Sequence, residues 1–168
     1  MSGSNFMGRD DFLVREYWGS DFNTILEMES SRGGDPYSHA VFIRQMAVLF
    51  PQLFIIALNK DGDIIGYTLG GISTGEPKSG LVMRIFVAPG LRRCGAGRLL
   101  MDELGKRFSQ FGVFSVSLTV SPSNEGAVSL YEKLGFARSD CIKDYFGKGE
   151  DRLVMTAPYG ENFPDERS

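Results

Sequence analysis

Cysteine and histidine are nearly missing from this chain: Cys94 and Cys141 are its only thiols and His39 its only imidazole. A four-ligand zinc site of the usual Cys/His kind cannot be assembled from three such side chains, so no metal is expected. Basic charge is not in excess either. Eighteen Lys and Arg stand against 21 Asp and Glu, a formal net charge of -3. That balance argues against nucleic acid as a main partner, because binding a phosphate backbone rests on a basic excess. Any anion site must be local. No run approaches the roughly 18 continuous apolar residues that a membrane span requires, and the opening MSGSNFMGRD has no apolar leader segment. The expectation is a cytoplasmic protein with reduced thiols and no membrane partner.

What the chain does have is a core. With 42% apolar and 23% charged residues over 168 positions, the composition is that of an ordinary globular domain. One domain is expected over 11–157, between a flexible N-terminus (1–10) and a polar tail (158–168). Hydrophobic periodicity predicts the elements in turn. FLVREYW reads as a strand, SDFNTILEMES as a helix opened by Ser20, and SHAVFIRQMAVLF as a second helix stopped by Pro51. LFIIAL and IIGYTLGGI flank a turn at Asp61-Gly62, which signals a hairpin. GLVMRIFVAP is a strongly apolar strand. GRLLMDELGKRFSQFG then sets Leu100, Leu104, Phe108 and Phe111 at helical spacing and ends on Gly112. FSVSLTV is a buried strand, and SNEGAVSLYEKLG a helix with Ala127, Leu130, Tyr131 and Leu134 on one face and Gly135 at its end. FARSDCIKDYF and DRLVMTA are the last two strands, joined by GKGE. The order is β-α-α-β-β-β-α-β-α-β-β, an α/β (α+β) fold with a mixed, mostly antiparallel seven-stranded sheet and about four helices.

The stretch LRRCGAGRLLM, residues 91–101, carries the clearest chemistry. Gly95, Ala96 and Gly97 fall between a strand and a helix, where the first backbone N–H groups have no intrahelical partner and the helix dipole favours negative charge. Arg92, Arg93 and Arg98 add full positive charges beside them. Glycines let phosphate oxygens approach the backbone, and guanidinium groups pair with the oxygens left over, so a diphosphate suits the site. The dinucleotide fingerprint fails, because Leu100 stands where a third glycine or alanine is needed. The P-loop fails as well, for want of Gly-Lys-Ser/Thr. A plain packing turn with surface arginines is the structural alternative.

VAPGLRRCGAGRLLM is similar to motif A of the GCN5-related N-acetyltransferases: Val87-x-Pro89, then Arg92-x-x-Gly95-x-Gly97 and a helix. SNEGAVSLYEKLGF resembles motif B of the same family, from Asn124 to Phe136. The resemblance covers nearly all of 11–157 and implies acetyl-CoA as acetyl donor. Its pyrophosphate would lie on the backbone of the 92–98 loop, Cys94 included, and its pantetheine arm and acetyl carbonyl on backbone groups of Ile85, Phe86 and Val87. Tyr131 matches the tyrosine that in the family commonly lies near the CoA sulfur, against the cofactor, and serves as general acid. A phenol with a pKa near 10 can donate a proton to a thiolate. A core tyrosine is the alternative. Asn124 is expected either to cap its helix or to contact the cofactor. Cys94, lying at a helix start among arginines, is a weaker candidate for an acetyl-accepting nucleophile.

DPYS (35–38) and DYFGKGEDRLVM (144–155) resemble the branch that acetylates ribosomal protein and other protein N-termini. By that resemblance Pro36, Tyr37 and Tyr145 contact the acceptor, with Ser38, Phe146, Gly149, Glu150 and Asp151 nearby. An ordinary turn and hairpin is the alternative. The sequence also departs from the branch. Thr119 stands where many members place a glutamate or histidine base, Asp35 where an apolar residue often precedes the proline, and Leu81 where several have a histidine. Glu27 and Glu29 are candidate replacements for the base. The implied activity is acetyl transfer to the α-amine of a protein N-terminus. A small amine, a lysine side chain or a non-catalytic acetyl-CoA-binding module remain as alternatives, and exposed edge strands are compatible with a homodimer.

Overall fold

The computed structural model describes residues 11–158. The expected flexible N-terminus, and all of the expected tail after Pro158, lie outside the described residues. Seven strands form one mixed sheet ordered β1-β2-β3-β4-β5-β7-β6. They are β1 (Leu13–Glu16), β2 (Phe54–Leu58), β3 (Ile64–Ile72), β4 (Ser79–Val87), β5 (Ser115–Val120), β6 (Ala137–Ile142) and β7 (Arg152–Pro158). The helices are α1 (Phe22–Ser30), α2 (Pro36–Leu49), α3 (Ala96–Gln110) and α4 (Glu125–Lys133). The order predicted from periodicity is the observed one. The described residues fall into two compact units, the first running to Gly70 and resuming over 84–107, the second made of 71–83 and the chain from Phe108 onward.

In the first unit β2 pairs antiparallel with β1 and with β3. Its run Phe54-Ile55-Ile56-Ala57 is fully buried, which explains why the strand is apolar throughout and does not alternate. Each of its three large side chains contributes about 1.5–3 kcal/mol through burial. The turn into β3 is held by Asn59, whose side-chain oxygen accepts from the N–H groups of Asp61 and Asp63. Gly62 supplies the positive φ of 86° that the reversal requires. Asp21, buried ahead of α1, accepts two bonds from the Arg15 guanidinium and one from the Trp18 N–H. Burial pushes its pKa up, but these bonds and the arginine's charge outweigh burial and leave it lowered.

In the second unit β4 runs parallel to β5, from Ser79 against Ser115 to Val82 against Leu118, and β5 and β6 both pair antiparallel with β7. β6 ends the sheet, is exposed over most of its length, and has a register irregularity between Arg138 and Asp140. The core collects Phe108, Val113, Val116, Leu118, Phe136 and Met155. Gly80 is there because the Phe108 ring lies against it: a Cβ at that position would fall 2.8 Å from a ring carbon.

Several boundaries differ from expectation, and three of them have a clear local cause. α2 starts at Pro36, not Ser38, because Asp35 caps it through the N–H groups of Tyr37 and Ser38 and proline fits the first helical position. α3 stops at Gln110, and Phe111 lies beyond the helix and is exposed. There Gly112, at a φ of 71°, and the bond from the Val113 N–H to the Phe108 carbonyl close a Schellman motif. β6 ends at Ile142, four residues early. The reason is Asp144, whose φ of 53° an extended strand cannot contain.

Leu104 is 1% exposed on α3. Leu104→Ala is expected to cost about 2–5 kcal/mol by leaving a cavity. Urea denaturation would show this as a lower midpoint at unchanged slope.

Candidate active site

β4 leaves the sheet through a single turn of 3-10 helix at Pro89–Leu91 and enters α3. Between them the backbone turns left-handed twice, at Arg93 (φ 62°) and at Gly95 (φ 90°). A non-glycine residue in that region is uncommon, and Gly95 occupies it without steric cost. The first helical bond of α3 runs from the Leu99 N–H to the Gly95 carbonyl at 3.0 Å. The N–H groups of Ala96, Gly97 and Arg98 precede that bond and have no carbonyl one turn back within the helix. Arg92, Arg93 and Arg98 are exposed. Arg92 donates through Nε to the Val87 carbonyl at 3.4 Å, Arg98 lies 3.9 Å from Asp102, and the Cys94 thiol reaches the Arg92 carbonyl at 3.6 Å. Ala96 is buried and anchors the helix start. The arrangement offers backbone donors, a helix dipole and three guanidinium groups to an anion.

Upstream, the backbone of Ile85, Phe86 and Val87 is closely packed. The Phe86 carbonyl approaches Gly66 so nearly that a Cβ there would lie 2.4 Å from it, and the Ala88 N–H donates to the Ile65 carbonyl. Gly66 is therefore a close-approach glycine that lets β3 lie against this strand.

The first unit also holds a polar cluster that periodicity did not reveal. Glu29, 2% exposed, accepts a bond from the Tyr67 hydroxyl at one oxygen and from Arg84 Nε at the other, 3.3 Å away. Arg32 and His39 each lie 3.7 Å from it, and the Arg84 guanidinium rests over the Phe42 ring. Burial first, then the charge of Glu29, raises the Tyr67 pKa well above that of free tyrosine, so it remains a phenol and a donor. Of the two glutamates considered as a base, Glu27 is exposed and Glu29 is sealed among these partners. A signal for Glu29 existed: it follows Ile25 by four residues and so shares its buried face.

The remaining sequence-predicted residues divide between the units. Pro36 and Tyr37 open α2 in the first, with Tyr37 76% exposed. The Ser38 hydroxyl and the N–H groups of Ser38 and Tyr37 hold the Asp35 carboxyl below the usual carboxylate range. In the second unit Asn124 caps α4 by accepting from the Ala127 N–H at 3.2 Å. Tyr131 is 6% exposed and meets Phe136 edge-on at 6.1 Å. Thr119 is half-buried on β5, facing Val154 of β7. Tyr145 and Phe146 are exposed at the tip between β6 and β7, their rings 4.8 Å apart, with Arg152 over Phe146. Asp144 holds that tip by accepting from the Gly149 N–H, while its own N–H donates to Asp151.

A mixed seven-stranded sheet whose fourth strand runs through a glycine turn into a helix is the architecture of an acetyl-CoA-dependent acetyltransferase, and the model of the acetyltransferase (GNAT) family matches residues 16–136. The chain belongs to that family. It is 27% identical over 158 residues to an N-alpha-acetyltransferase of Sulfurisphaera tokodaii, across 88% of this chain and 93% of the relative. Chaetomium thermophilum Naa20, solved in complex with a bisubstrate analogue, superposes with a TM-score of 0.77 at 26% identity, covering 88% of this chain and 86% of that one. The ribosomal-protein-S18-alanine N-acetyltransferase of Escherichia coli shares the fold, with a TM-score of 0.72, 21% identity and coverage of 92% and 97%.

Tyr67→Phe removes the donor to a buried carboxylate oxygen and is expected to cost about 1–3 kcal/mol of stability. Tyr145→Phe, at an exposed tip, should leave the unfolding midpoint in place, and equal midpoints for the two variants would contradict the buried bond.

Proposed function

We propose that this protein transfers the acetyl group of acetyl-CoA directly to the α-amino group of a protein N-terminus. The observation that carries the acceptor is the similarity to an N-alpha-acetyltransferase along nearly the whole of both chains. The solved Naa20 complex with a bisubstrate analogue supports the same reading.

On this proposal the N–H groups of Ala96, Gly97 and Arg98 receive pyrophosphate oxygens, Arg92, Arg93 and Arg98 pair with the rest, and Cys94 and Gly95 shape the turn that aims them. Backbone groups of Ile85, Phe86 and Val87 hold the pantetheine arm and orient the acetyl carbonyl, which gains reactivity when its oxygen is met by a fixed N–H donor. The neutral acceptor amine attacks that carbonyl carbon, the C–S bond breaks, the Tyr131 hydroxyl donates its proton to the departing thiolate, and the proton lost by the attacking nitrogen as the amide forms passes to solvent, from which the Tyr131 phenolate regains one. Asn124 serves by holding the first turn of the helix that carries Tyr131. Pro36, Tyr37 and Tyr145 contact the acceptor peptide. Cys94 has no covalent role in direct transfer.

Thiol release from acetyl-CoA, measured with peptides of varied first residue beside spermidine and a lysine peptide with a blocked terminus, tests the acceptor. Turnover confined to free N-termini is expected, whereas turnover on spermidine alone would replace this reading with a small-amine enzyme. Tyr131→Phe should lower kcat about a hundredfold at unchanged acetyl-CoA affinity. Gly95→Ala, strained at φ 90°, should instead weaken acetyl-CoA binding in calorimetry.

A further inference from the structure

The connection between α1 and α2 contains two consecutive glycines in the left-handed region, Gly33 at φ 87° and Gly34 at φ 96°. Such a pair has the greatest backbone freedom a chain can have, and a fixed shape there requires an external restraint. The chain's only histidine supplies one. His39, in the first turn of α2, folds back so that its Nε2 lies 2.8 Å from the Gly33 carbonyl. A carbonyl can only accept, so Nε2 carries the proton. The same nitrogen lies where a Cβ on Gly34 would come within 2.9 Å. The ring's other nitrogen, Nδ1, is 3.7 Å from a Glu29 oxygen, beyond hydrogen-bond reach, a contact that becomes an ion pair when Nδ1 also carries a proton. Glu29 is the carboxylate that receives Tyr67 from β3 and Arg84 from β4, and Arg84 immediately precedes Ile85.

We propose that His39 and Glu29 form a clasp that fixes the shape of the α1–α2 connection and thereby positions Pro36 and Tyr37 for the acetyl acceptor. Both are positioning residues. The clasp rests on the reading of Pro36 and Tyr37 as acceptor contacts. Glu29 was a candidate base on sequence grounds, but its two oxygens are taken up by elements on either side, and its chemistry is that of a tether. The two glycines are a requirement of the clasp: a side chain at Gly34 would push the imidazole off the Gly33 carbonyl.

Steady-state kinetics with a free N-terminal peptide, acetyl-CoA affinity by calorimetry and thermal unfolding would be compared for wild type, His39→Ala, His39→Gln, Gly34→Ala and Tyr37→Ala. The clasp predicts that His39→Ala and Gly34→Ala each raise the peptide KM about tenfold while acetyl-CoA affinity stays within about twofold. His39→Gln, whose amide can still donate to the Gly33 carbonyl, should recover part of the loss. Tyr37→Ala reads the underlying assignment. If it raises the peptide KM and the His39 and Gly34 variants do not, the clasp is wrong and the acceptor assignment stands. If none of them changes the peptide KM, the acceptor assignment fails and the clasp fails with it. If His39→Ala and Gly34→Ala weaken peptide and acetyl-CoA binding together as Tm falls, the contact is merely structural and the positioning role is overturned.

Discussion

A carboxylate removed from water constrains everything packed around it. Glu29 loses its hydration on α1, a cost of several kcal/mol for a charged group, and that cost is offset only while Tyr67 and Arg84 present their donors in place. β3 must therefore bring a tyrosine, not a phenylalanine, to the middle of a buried strand, and β4 must carry an arginine one step before the segment proposed to meet the acetyl group. The Phe42 ring under the Arg84 guanidinium extends the constraint to α2. An acid at 29 thus dictates residue types on three other elements of the first unit, which is why its loss would be felt well beyond its own helix.

Periodicity made most of the fold legible. Alternation in SVSLTV and the glycine-marked ends of α3 and α4 are local signals with local causes, and the structure follows them. Errors arose where one residue overrode a run. Asp35 and Pro36 together start a helix two positions before the apolar pattern does. The left-handed Asp144 ends a strand expected from the sequence to run on to Phe146. The Schellman closure at Gly112 strands Phe111 outside a helix that its spacing would have let it join. Each override depends on a backbone angle or a capping bond, and neither is written in hydrophobicity.

The proposed site was legible to different depths. The strand-to-helix turn at 92–98 could be read in advance because its glycine spacing and the apolar helix pattern after it are local signals, and its use as an anion cradle is part of the proposed function. The cluster around Glu29 was not visible, since its partners come from positions 32, 39, 67 and 84 and only folding assembles them. In the sequence His39 is a lone imidazole, too few for zinc. In the fold its significance lies in what it does to two glycines a few residues away.

β6 stands at one end of the sheet, paired among the described residues only with β7, and the Asp140 carboxylate takes up the Cys141 N–H. An open edge of that kind is where chains stack into fibres, and natural sheets blunt it with charges and irregular pairing. Arg138 and Asp140 provide the charges, and the register irregularity that falls between them spoils the regular row of donors and acceptors a docking strand would need. Within three consecutive residues the edge of the second unit thus holds two of the devices by which natural sheets discourage edge-to-edge pairing.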